Sequence, residues 1–163
     1  MIVSSAQNTD LDAVLALEEI GFPEQERWGA QAWQAEFDAA DGHVLVGRAM
    51  AHGGVIAVAA YRYVDEFGEL FRIIVDPEHQ GRGLGRQLTK AGEQWARALG
   101  AKRMLLEVRD DNESAIAMYT RLGFAPLTIR ADYYGPGTKA IVMEREFTDL
   151  KSASHLTWEG TNA

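Results

Sequence analysis

The 163-residue chain contains no cysteine, which excludes disulfides, thiolate metal sites and a cysteine nucleophile together. Prolines number only four, and no Pro- or Ser-rich linker divides the chain. A single domain over residues 1–147 is therefore expected, followed by a flexible tail over 148–163 that is small and polar. Long apolar runs are missing as well. The longest, Val55–Tyr61, has seven residues, far short of the roughly 20 that span a bilayer, so no membrane partner is expected. Met1-Ile2-Val3-Ser4-Ser5 has neither a basic start nor a long apolar stretch; no secretory signal is read there, and a cytoplasmic protein is expected. His43, His52, His79 and His155 are scattered without ligand spacing, so no metal is expected. Positive charge is scarce: the net charge is −8. Residues 1–70 hold 12 acids against only Arg27, Arg48 and Arg62, whereas residues 71–163 nearly balance. Direct nucleic-acid binding, which draws its affinity from Lys and Arg on phosphates, is not expected. The acidic front half fits either a solvated surface or long-range attraction for a cationic substrate.

What is present is a packed-core composition, 47% hydrophobic, with changing periodicity. Met1–Ser5 reads as a short strand. Leu11, Val14, Leu15 and Glu18 have helical spacing behind the Asn8-Thr9-Asp10 caps, and Trp28, Ala32, Trp33 and Phe37 mark a second helix. His43–Met50, Gly54–Val64 and Phe67–Val75 read as strands. Leu84, Leu88, Ala91, Trp95 and Leu99 form a strongly amphipathic helix, with Gly100 just past its end. Arg103–Arg109 returns to strand character. Asn112 caps a further helix carrying Ala115, Ile116, Tyr119 and Leu122, and two last strands lie near Pro126–Ala131 and Ala140–Phe147. The fold class is α+β, a mixed sheet flanked by helices.

The sharpest local signal is Gln80-Gly81-Arg82-Gly83-Leu84-Gly85-Arg86, between the end of a strand at Val75-Asp76-Pro77 and the start of the amphipathic helix. Glycines let backbone N–H groups approach a ligand, and a helix start adds free donors and the positive end of its dipole. An anion site is expected, unless the segment is only a turn with exposed arginines. It is not a P-loop, because Gly85-Arg86-Gln87 stands where Gly-Lys-Ser/Thr is needed. Nor is it a dinucleotide fingerprint, whose third glycine would fall at Arg86.

Val75–Phe124 resembles the GNAT family of acetyl-CoA-dependent N-acetyltransferases. The family's Arg/Gln-x-x-Gly-x-Gly/Ala motif matches Gln80–Gly85. The resemblance continues through Leu106-Glu107-Val108-Arg109, Asn112-Glu113-Ser114-Ala115 and Met118–Phe124. With Arg130 and Tyr133-Tyr134, these residues look like the RimI-type branch, which acetylates the N-terminal alanine of a ribosomal protein. The resemblance implies a mostly antiparallel GNAT-like sheet. It also implies acetyl-CoA as co-substrate, held by Ile73, Ile74, Val75, Gly81, Arg82, Gly83, Leu84, Gly85, Arg86 and Asn112. Tyr133 and Tyr134 would belong to the acceptor-binding loop, and the partner would be a protein or peptide N-terminus, such as that of a ribosomal protein.

Two residues are candidates for proton transfer. Glu107 sits mid-strand between Leu106 and Val108, where a carboxylate is costly unless partnered or used. Its spacing admits either a base or an ion pair with Arg103 or Arg109, its same-face neighbours; the resemblance implies the base. Tyr119 lies at core spacing on its helix and can pack there, or its phenol can protonate a departing thiolate; the resemblance implies the acid. Other readings remain: the same fold acting on a small amine or a lysine side chain, or an acyl-CoA-binding regulatory domain without turnover.

Overall fold

The computed structural model describes residues 1–131 and 136–148. Tyr133, Tyr134 and all of the expected tail except Thr148 lie outside the described residues. Seven strands form one sheet: β1 (Ile2–Ser5), β2 (Gly42–Arg48), β3 (Val55–Val64), β4 (Phe67–Val75), β5 (Arg103–Arg109), β6 (Ala125–Ala131) and β7 (Lys139–Glu146). Their order is β1-β2-β3-β4-β5-β7-β6, antiparallel throughout except for the parallel pair β4 and β5. Four α-helices, α1 (Leu11–Gly21), α2 (Ala30–Asp38), α3 (Leu84–Ala98) and α4 (Glu113–Arg121), flank it. No described helix is long and apolar enough to cross a membrane.

Alternation along β3 explains why the centre of the sheet needs helices on both sides. Ala57, Ala59 and Tyr61 face one way and join a core with Leu88 and Ala96 of α3 and Tyr119 of α4. Val58 and Ala60 face the other way and join Val14 and Leu17 of α1 and Trp33 of α2. Period-two alternation assigns each strand residue to one of these two faces. The α3 packing is close enough to require a glycine. A Cβ on Gly92 would lie 2.1 Å from the Tyr61 ring, whose hydroxyl donates to the Leu88 carbonyl at 2.8 Å.

Two features of β4 create the functional region. First, its pairing with β5 runs only from Phe67↔Arg103 to Leu70↔Leu106, so beyond Leu70 the two strands part. Second, Ala60 pairs with Arg72 but Tyr61 with Leu70, leaving Phe71 as an extra residue. A bulge of this kind inverts the alternation downstream of it. Leu70 therefore faces the α3–α4 core, and so do Ile73 and Val75, whereas Ile74 faces α1 and α2.

Candidate active site

On the α3–α4 face, a cleft of about 870 Å³ opens at the parting of the strands. It is lined by Ile73 and Val75, by the glycine turn and by Asn112, Met118 and Tyr119 of the α4 segment. Gly81 and Gly83 have φ of 76° and 78°, the left-handed region that costs other residues about 1–3 kcal/mol. A Cβ at either would touch nothing within 4 Å. Conformation, not crowding, thus demands glycine at these two positions. Gly85 differs: its α-carbon faces Met118, whose sulfur would lie 3.3 Å from a Cβ. The first helical bond runs from Gln87 N–H to the Gly83 carbonyl, so the amides before it are the free donors of a helix start. Arg86 and Arg121 add positive charge to the same cleft.

The parted edge of β4 supplies further main-chain groups. Asp76 N–H bonds the Ile56 carbonyl of the β3 side. By antiparallel alternation Ile74 also bonds toward β3, while Ile73 and Val75 aim their N–H and C=O at the open edge. The Val75 carbonyl already accepts from Gln80 Nε2 at 3.2 Å. Ile74, expected with its neighbours at the ligand, is therefore turned away, with its side chain in the α1–α2 core. Arg82 is likewise not among the lining residues, whereas Leu84 and Arg86 are. Asn112 caps α4, accepting from Ala115 N–H at 3.2 Å, and lines the cleft as well.

Tyr119 is 4% exposed, edge-on to Phe124 at 5.7 Å. Burial pushes its phenol well above the usual range, so it holds its proton at neutral pH. No hydrogen bond takes its hydroxyl among the described residues, and the residue lines the cleft.

On the opposite face lies a second cleft, of about 560 Å³, lined by Gln25, Glu26, Trp28, Glu69, Leu70, Phe71, Arg72, Glu107 and Arg130. Met104, Leu106 and Val108 of β5 fill the α3–α4 core, which turns Glu107 to this side. Its carboxylate pairs with Arg130 Nη1 of β6 at 2.8 Å. The two partners expected from strand spacing are engaged elsewhere: Arg103 with Glu144 at 3.3 Å, and Arg109 with Glu26 and Asp111. β6 lies next to β7 rather than β5, so local spacing could not identify Arg130. Glu69, missed from the sequence, carries the same signal as Glu107, a carboxylate between strand residues. Burial first, then repulsion from Glu107, pushes its carboxyl up, with Arg130 opposing. Trp28 precedes α2 rather than riding on it, packs with its ring tilted against that of Trp33 at 5.1 Å and walls this cleft. Among the described residues, no group of three or more His, Asp or Glu could hold a metal ion.

The profile of the acetyltransferase (GNAT) family matches residues 11–124. The chain belongs to the GNAT acetyltransferase family. It is 36% identical over 135 residues to the [ribosomal protein bS18]-alanine N-acetyltransferase of Escherichia coli (strain K12), covering 81% of this chain and 86% of that protein. A crystal structure of the ribosomal-protein-S18-alanine N-acetyltransferase from Escherichia coli superposes with a TM-score of 0.80 at 28% identity, covering 99% of both chains. The GNAT protein is also 36% identical over 72 residues to the uncharacterized N-acetyltransferase YobR of Bacillus subtilis (strain 168). That match takes in 44% of this chain but only 29% of the length of YobR. The expected mixed, mostly antiparallel GNAT sheet is the one observed.

Proposed function

We propose that the protein is a cytoplasmic, acetyl-CoA-dependent N-acetyltransferase. Its acceptor is the N-terminal α-amine of a protein or peptide, in particular the N-terminal alanine of a ribosomal protein, and transfer proceeds by direct attack in a ternary complex. The observation that carries this reading is the division of labour at the parting of β4 and β5. A carboxylate, Glu107, lines the cleft on one face, and the phenol of Tyr119, which takes no hydrogen bond among the described residues, lines the cleft on the other. Similarity to the bS18-alanine enzyme supports the choice of acceptor.

Acetyl-CoA, when bound, supplies an activated acetyl thioester and a run of phosphates. The left-handed glycines, the free donors of the α3 start, Arg86 and Arg121 suit those phosphates. The main-chain groups of Ile73 and Val75 suit the amide-bearing arm and the acetyl carbonyl, and Asn112 stands beside them. Glu107, directly or through one water, takes the proton from the acceptor ammonium. The neutral nitrogen then bonds the carbonyl carbon, the carbon–sulfur bond breaks as Tyr119 gives its proton to the departing sulfur, and the second proton that nitrogen sheds on becoming an amide returns through water to the Tyr119 phenolate. An α-amine, with a usual pKa of about 7.7–8.0, is already roughly one-tenth neutral at pH 7, unlike a lysine amine near 10.4. A single carboxylate can therefore suffice as base for an N-terminus.

The test is CoA release with a panel of N-terminal peptides, lysine peptides and free polyamines. Ala-initiated peptides are expected to have the highest kcat/KM; a preference for small amines would overturn the acceptor assignment. Glu107→Gln and Tyr119→Phe are each expected to lower kcat by about 10²-fold or more. Unchanged turnover at saturating acetyl-CoA would remove both residues from the mechanism.

A further inference from the structure

The acceptor-side cleft is roofed by the short 3₁₀ turn Glu24–Glu26, and that turn is gripped from both parted strands through one residue. From β4, Arg72 Nη2 donates to the Glu26 carbonyl oxygen at 2.7 Å. From β5, Arg109 Nη1 donates to the Glu26 carboxylate at 2.6 Å. Neither arginine is itself adrift. Arg72 is ion-paired with the buried Glu18 and lies 3.4 Å over the Phe22 ring, while Arg109 is also held by Asp111 at 3.1 Å. Glu18, in turn, accepts from Trp28 N–H and from Trp33 Nε1 at 2.9 and 3.0 Å. The roof is thus continuous with the α1–α2 core at one end and tied to β5 through the Glu26 carboxylate at the other.

β4 and β5 make no backbone pairing with each other beyond Leu70 and Leu106. Across this gap Glu26 takes one hydrogen bond from each strand. We propose that Glu26 is a positioning residue: its link across the gap fixes the height of the roof over Glu107 and thereby limits the acceptor to a small first side chain. This inference rests on the proposed α-amine acceptor. Its physical half, the clasp itself, does not.

The experiment has two readouts on the full chain. Amide hydrogen exchange is followed over residues 24–28 in the wild type, Glu26→Ala, Arg109→Lys and Arg109→Gln, and kcat/KM is measured for Ala-initiated and Phe-initiated peptides of otherwise identical sequence. Glu26→Ala and Arg109→Gln are expected to speed exchange over 24–28 while leaving α3 unchanged. They are also expected to lower the Ala-over-Phe preference two- to fivefold, the scale of a partly exposed ion pair. Arg109→Lys keeps the charge and should retain most of the preference. The double variant Glu26→Ala/Arg109→Gln should be no worse than the more severe single variant, because one link is removed in each. A merely structural role would show itself as a lowered Tm and weakened acetyl-CoA binding with the preference intact, and would overturn the inference. Unchanged exchange over 24–28 would remove the clasp whatever the substrate. If the wild type acetylates neither peptide, the proposed acceptor fails and the selectivity claim with it, while exchange still decides the clasp.

Discussion

The two clefts at the parting of β4 and β5 are made of different materials. The α3–α4 side is built from main chain: left-handed glycines, the free amides of a helix start and the unpaired edge of β4. The opposite side is built from charged side chains, joined in pairs that lie far apart in sequence, such as Glu18 with Arg72 and Glu26 with Arg109. Main-chain donors survive most substitutions, so they suit a ligand that does not vary. Side-chain walls can be exchanged without disturbing the sheet, so they suit an acceptor that differs between enzymes.

The contrast can be broken by experiment, and Gly83→Val should do so most strongly. A β-branched residue at φ 78° carries a conformational cost of about 1–3 kcal/mol. Reshaping the turn is expected to weaken acetyl-CoA binding tenfold or more by calorimetry; a change under twofold would mean that the main chain there does not grip the ligand. Arg130→Gln probes the other material. It should raise the acceptor KM about two- to fivefold, the worth of an exposed pair, with the acetyl-CoA Kd unmoved. An equal loss in both constants would erase the distinction between the clefts.

A third effect appears on alkaline titration. Burial raises the phenols of Tyr61 and Tyr119 above their ordinary value. Stability that depends on their neutral forms is complete below about pH 10, where unfolded phenols titrate, and is lost as pH rises further toward the folded values. Tm measured at pH 8 and pH 11 should fall, and Tyr119→Phe should shrink that fall. The smallest effect concerns Glu69, whose folded carboxyl is raised by burial and by Glu107. Its contribution is complete below the unfolded carboxylate value and is lost as pH rises through the folded one. Glu69→Gln should therefore stabilise at pH 7 by less than about 0.5 kcal/mol, and not at all at pH 3. Equal gains at both pH values in urea unfolding would assign the effect to packing rather than charge.

Much of this was legible in the sequence because it is local. The period of Leu84–Leu99, the Asn112 cap, the glycine turn and the mid-strand place of Glu107 between Leu106 and Val108 all follow from spacing over a few residues. The strand Phe67–Val75 was bounded correctly, yet its internal bulge was invisible, since Phe71 carries no glycine or other mark of an extra residue. Ile74 was accordingly grouped with Ile73 and Val75. Arg130 was missed as the partner of Glu107 because sheet order, not sequence neighbourhood, sets that pairing. The grip of Arg72 and Arg109 on Glu26 likewise exists only once distant segments have met.

The single supernumerary residue in β4 has a wider consequence. It acts as a gear change in the strand, sorting odd and even positions onto opposite sides of the molecule halfway along. Without Phe71, Leu70, Arg72 and Ile73 would still alternate between the same two faces, so what the extra residue adds is a local kink and twist, set where β4 leaves β5. The bend of the strand, rather than the side on which each neighbour lies, is what this one residue controls.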